Sequence, residues 1–113
     1  MAEKTYQVIV RGKFAPLDDE QRAALRERAD EHDVFRAKFT EAGTVTYERS
    51  LAGFTFRCLV PATKYEDETA VIGRAEALAV AAVAGLGADC RDLKSVSTDL
   101  DDIRIRRRVT PAR

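Results

Sequence analysis

Residues 44–60 read TVTYERSLAGFTFRCLV, two alternating runs joined by a short connection. In the first run, Thr44 to Ser50, Val45 and Tyr47 fall on one side and Thr46 and Glu48 on the other. Leu51-Ala52-Gly53 suits a hairpin. The second run, Phe54 to Val60, is the clearest strand in the chain. Phe54, Phe56, Cys58 and Val60 share one face, and Thr55, Arg57 and Leu59 the other. Pro61 is expected to stop it, since proline cannot donate to a sheet ladder. A strand pair at mid-chain therefore anchors the reading, and the flanks decide what covers it.

Upstream, Tyr6 to Phe14 (YQVIVRGKF) alternates and is rich in β-branched residues. Tyr6, Val8 and Val10 fall on one face, with Gln7, Ile9 and Arg11 on the other; Gly12 and Pro16 are expected to close the strand. Asp18 is a candidate N-cap with Gln21 three residues on. From there Leu25, Ala29, His32, Phe35 and Phe39 form one helical stripe, ended by Gly43. Asp30-Glu31-His32-Asp33 is a weak helix-forming stretch, where a break or kink is allowed for. Downstream, a second helix is expected from a cap at Thr63 or Asp67 to about Leu86. Its apolar face would be Val71, Ile72, Ala75, Leu78, Ala82 and Leu86. Leu93 to Leu100 reads as the last strand. Ile103 to Arg106 continues the alternation out of phase, which places a bulge or turn at Asp101-Asp102.

The order β-α-β-β-α-β predicts an α+β, ferredoxin-like domain over residues 1–113. In that arrangement two helices cover one face of a four-stranded antiparallel sheet, here with room for a C-terminal strand extension. Its first and third strands are central, and those two are the most apolar here.

A chain of 113 residues holds one core. Its 19 basic and 19 acidic residues cancel, so a whole-domain electrostatic grip on nucleic acid or an anionic membrane has no support. No apolar run approaches the ~20 residues of a membrane span. The opening Met-Ala-Glu-Lys-Thr-Tyr has no signal-peptide character. Cys58 and Cys90 lack metal-type spacing. These features together predict a cytoplasmic protein with reduced thiols, no cofactor and no membrane partner.

His32, the one histidine, lies in the first helix's stripe, and with Tyr47 it is the candidate for acid–base chemistry. The competing account is a half-buried imidazole bonded to a neighbour such as Asp33 or Tyr47. The sheet face turned from the helices carries Ile9 and Leu59, aliphatics that call for cover, so a homodimer through this face or the last strand's edge is expected. Arg11, Glu48 and Arg57 would line a polar cavity there, an arginine holding the carboxylate or phosphate of a small-molecule ligand. The alternative is a solvated Arg–Glu pair worth little.

Ala52-Gly53-Phe54-Thr55-Phe56-Arg57 resembles the Gly-aromatic-x-aromatic core of the RNA-recognition motif. That motif needs its aromatics on the open face, whereas Phe54 and Phe56 have core parity, and RNA binding is disfavoured. Val10-Arg11-Gly12 resembles the start of an acylphosphatase phosphate loop, but Lys13-Phe14-Ala15-Pro16 breaks that pattern. The basic run Arg104-Arg106-Arg107-Arg108 follows acidic Asp99, Asp101 and Asp102 and reads as a solvated end. Finally TYQVIVRGKF, LDDEQRAALRERADEHD, GTVTYERSLAGFTFR and DDIRIRRR together resemble a family of short actinobacterial proteins of unknown function. The resemblance implies a single bacterial cytoplasmic domain and carries over no catalytic residues. The leading expectation is a homodimeric ligand-binding or interaction module. The alternatives are a cofactor-independent dimeric α+β barrel enzyme using His32, Tyr47 and Arg57, and, less favoured, an RNA-binding domain.

Overall fold

A computed structural model describes residues 4–100. The elements are β1 (Lys4–Phe14), α1 (Asp19–Glu27), two short 3-10 turns (Ala29–His32 and Val34–Arg36), β2 (Thr44–Tyr47), β3 (Phe54–Ala62), α2 (Glu68–Gly85) and β4 (Cys90–Asp99). They form a mixed α+β fold with an open four-stranded antiparallel sheet of order β2-β3-β1-β4 and two helices. The two central strands are β1 and β3, paired from Lys4 opposite Ala62 to Gly12 opposite Phe54.

Alternation fixes which side of the sheet is dry. Val8, Val10, Phe56 and Cys58 are essentially inaccessible, and Tyr6, Phe14, Val45, Tyr47, Phe54 and Val60 join them on the same side. Leu25 of α1 and Val71, Ala75, Ala79 and Val83 of α2 belong to the same buried cluster. The alanines of α2 let its backbone approach the sheet closely. Asp18 caps α1 in a full capping box: its carboxylate accepts from the Gln21 N–H at 2.7 Å, and the Gln21 side chain accepts from the Asp18 N–H at 2.9 Å. Asp67 caps α2 by accepting from the Ala70 N–H.

Four features differ from the sequence reading. The first helix ends at Glu27, and its proposed continuation through Phe35 and Phe39 is replaced by the two 3-10 turns; Phe35 is 95% exposed. The weak stretch at Asp30–Asp33 gives way, and Asp33 caps the second turn by accepting from the Phe35 N–H. Gly12 does not close β1: the strand runs on to Phe14, and Gly12 sits where any Cβ would meet Leu93 and Phe54. β3 likewise passes through Pro61 to Ala62. β2 has ended opposite Arg57 by then, so proline occupies a free edge on that side. On α2 the buried stripe is Val71, Ala75, Ala79 and Val83, while Leu78 is partly exposed. The expected features at Asp101-Asp102 and 103–108 lie outside the described residues.

Candidate functional site

Register places every strand side chain on one side of the sheet or the other. The open side carries Ile9, Arg11 and Lys13 from β1, Thr55, Arg57 and Leu59 from β3, and Thr44 and Thr46 from β2. From β4 it receives Arg91, Lys94 and Val96. β4 pairs Lys94 with Arg11 but Arg91 with Lys13, so one extra residue is accommodated near Asp92, which has a φ of 56°. That bulge brings Arg91 to the outward side, opposite Lys13, while plain alternation beyond it keeps Leu93 against the core and Val96 outward, 57% exposed beside Ile9.

At one end of this face a cleft of about 690 Å³ opens between the sheet, the β2–β3 connection and the 3-10 turns. Arg11, Glu48 and Arg57 all line it, together with Thr46, Thr55 and Asp33. Arg11 stands opposite Thr55 and Arg57 opposite Ile9, which makes the two arginines diagonal neighbours. Such diagonal neighbours lie roughly 7–8 Å apart, within joint reach of one anion. Arg57 is half-buried and held in place by donating from Nη1 to the Thr46 hydroxyl at 3.0 Å. Neither arginine pairs with a carboxylate among the described residues, and Glu48 has no cation on it either. The solvated Arg–Glu pair is therefore not formed. Of the other acids in the wall, Asp30 faces Arg49 at 3.4 Å, and Asp33 is occupied by its backbone cap.

His32 and Tyr47 are brought together on the helix side. Their rings stack with centroids 5.3 Å apart and planes 24° from parallel. The His32 Nδ1 lies 3.0 Å from the Val45 carbonyl, so Nδ1 carries the proton and donates. Its partner is thus a backbone carbonyl, neither Asp33 nor the Tyr47 hydroxyl. Nε2 is buried without a hydrogen bond among the described residues. Tyr47 donates its hydroxyl to the Leu25 carbonyl at 2.7 Å and tethers α1 to β2. Burial pushes the Tyr47 phenol above its ordinary 10.0, with Arg28 pulling partly against that rise. His32 borders a second, smaller hollow of about 260 Å³ with Thr44, Val45 and Ala82, away from Arg57. The candidate acid–base pair and the candidate anion-binding arginines therefore occupy different places.

Sequence reasoning missed Lys13, Arg91, Lys94 and Val96 as members of the open face. Lys13 could have been found by continuing β1's alternation past Gly12. Lys94 and Val96 depend on the register of β4 on β1, and Arg91 on the bulge at Asp92, neither of which has a signature in this stretch. Cys58 is buried and Cys90 half-buried, both free, and burial raises both thiols. No cluster of three or more metal-type ligands occurs among the described residues, and no helix there is long and apolar enough to cross a membrane.

A family model described as a family of unknown function (DUF6204) matches residues 1–110. No curated protein and no solved structure matches the chain.

Proposed function

We propose, for a chain that belongs to this family of unknown function and inherits no activity from it, a ferredoxin-like module that binds an anionic small molecule in the cleft. The observation that carries the proposal is the convergence of Arg11 and Arg57, both without a carboxylate partner among the described residues, on one cleft wall. A guanidinium fixed by one hydrogen bond to Thr46 retains other N–H donors, set in the planar fork that matches a carboxylate or phosphate. Glu48 adds an acceptor for a hydroxyl or ammonium group on the same ligand. The strand order β2-β3-β1-β4, with every neighbouring pair antiparallel, supports the ferredoxin-like assignment. The free thiols fit a cytoplasmic setting, and a bacterial, actinobacterial source rests on the resemblance alone.

The test is a titration with inorganic phosphate followed by amide NMR. The proposal expects saturable shifts at Gly53, Thr55 and Thr46 in the wild type and their loss in Arg57→Gln. Shifts scattered over the surface, or unchanged in the variant, would remove the site.

A second copy of the chain is the other partner proposed for the open face, because exposed Val96 and half-buried Ile9 and Leu59 form an apolar patch there. Five cations per face would oppose a bare pairing, so bound anions are part of this dimer. Light scattering with and without phosphate tests it. A mass that stays monomeric under both conditions would discard the dimer and leave the cleft untouched.

A further inference from the structure

The chain's formal charges cancel, yet the open sheet face is not neutral. Strand positions of outward parity hold Arg11, Lys13, Arg57, Arg91 and Lys94, and none of them is Asp or Glu. The cations gather toward the cleft end. Moving along the strands away from it, Arg11 is followed by Ile9, Arg57 by Leu59 and then Pro61, and Lys94 by Val96. Ile9 stands opposite Val96 on one side and Arg57 on the other, and Leu59 opposite Gln7. The surface thus changes from cationic toward apolar within one strand step: Ile9 and Val96 share a row with Arg57, and Leu59 lies in the next row beside Gln7 and Thr98. None of the outward strand positions among the described residues carries an aromatic ring, so bases of a single-stranded nucleic acid would find charge but no stacking platform along the strands.

We infer that the anion held at Arg11 and Arg57 is the head of an amphipathic molecule, a carboxylate or phosphate whose alkyl tail lies along Ile9, Leu59 and Val96. The inference rests on the cleft reading and adds the class of ligand to it. Charge complementarity selects the head, and the uncovered aliphatics beside it select the tail. A short hydrophilic anion would satisfy the arginines and leave Val96 in water; an alkyl chain covers both.

Straight-chain carboxylates from butanoate to decanoate, each kept below its micelle concentration, serve as probes in calorimetric titrations beside inorganic phosphate. Affinity is expected to rise about twofold per added methylene, less than full burial would give because the face covers the chain on one side only. Val96→Thr keeps a β-branched side chain on the strand and Leu59→Thr introduces one, and both positions face outward. They should flatten the chain-length dependence, whereas inorganic phosphate, which has no tail, should bind as it does to the wild type. Arg57→Gln should weaken every member of the series. Phosphate binding with no gain along the series would overturn the amphipathic ligand and leave the anion site standing. Failure of both phosphate and butanoate to bind would overturn the two together. The inference also falls if the ligand-free protein is a dimer that Val96→Thr dissociates, since a second copy would then own the patch. A single-stranded oligonucleotide that binds more tightly than decanoate would overturn it too.

Discussion

At the scale of single residues, the hydroxyl of Tyr47 shows how one polar atom can organise a core. It is buried and donates to the carbonyl of Leu25, a residue 22 positions earlier whose own side chain is 1% exposed. Phenylalanine at position 47 would keep the ring and its stack on His32 but leave the Leu25 carbonyl buried without a donor. Tyr47→Phe is therefore expected to cost about 1–3 kcal/mol in urea unfolding, the usual penalty of an orphaned buried acceptor. A loss below a few tenths would mean that another donor replaces it. Gly43 makes a sharper demand. Its φ is +86°, and a Cβ there would be driven into the ring of Phe56, itself 1% exposed and unable to retreat. Gly43→Ala combines left-handed strain with overpacking and is expected to destabilise by roughly 2–4 kcal/mol. Gly73→Ala, with open space around its Cβ and a helical backbone, should be neutral or stabilising by up to about 1 kcal/mol. The same urea series reads both, and equal effects would refute the steric account.

At the scale of elements, the strands, both helix starts and the end of α2 were legible and the end of the first helix was not, for different physical reasons. A period of two leaves little freedom once one face must be dry, so Tyr6, Val8 and Val10, and Phe54, Phe56, Cys58 and Val60, all lie on the side that their alternation assigns. The Leu25–Ala29–His32–Phe35–Phe39 stripe had an equally regular spacing, yet only its first half is supported by packing. Leu25 and Ala29 are buried, whereas Phe35 stands in water. Periodicity states what a helix would bury; it does not state that the acidic stretch before Phe35 will remain helical against its own low propensity. For the site, Arg11, Glu48 and Arg57 could be grouped from strand parity alone. Val96 and Lys94 could not, because Leu93 and Val96 are apolar residues of opposite parity and only the register on β1 decides which of them faces the core. An element-level prediction follows. Phe35→Ser should leave urea stability within about 0.5 kcal/mol, as for an exposed position, while Leu25→Ala should cost about 2–5 kcal/mol. Comparable losses at both would restore the long helix.

At the scale of the whole molecule, the sheet divides two electrostatic environments, a dry core under the helices and a cationic outer face, and each answers to a different solution variable. The core answers to alkali. Burial raises the Cys58 thiol above 9.0 and the Tyr47 phenol above 10.0, so the unfolded chain loses these protons first as pH rises. Their contribution to stability is complete below pH 9 and declines as pH climbs through 9 and 10 toward the raised folded values. Melting temperature is accordingly expected to fall from pH 9 upward, with the fall shallower in Cys58→Ala when each protein is compared with its own value at pH 7. The outer face answers to anions instead. A ligand that binds only the folded chain adds RT ln(1 + [L]/Kd), about 1.4 kcal/mol at ten times Kd, which for a domain of this size is several degrees of melting temperature. At pH 7, the longest carboxylate that binds should therefore raise the melting temperature of the wild type and leave Arg57→Gln nearly unmoved. The alkaline slope of Arg57→Gln should match that of the wild type, because Cys58 and Tyr47 lie on the opposite side of the sheet. A variant that lost both responses would show the two faces to be coupled through Thr46, the residue that is buried in the sheet and holds Arg57.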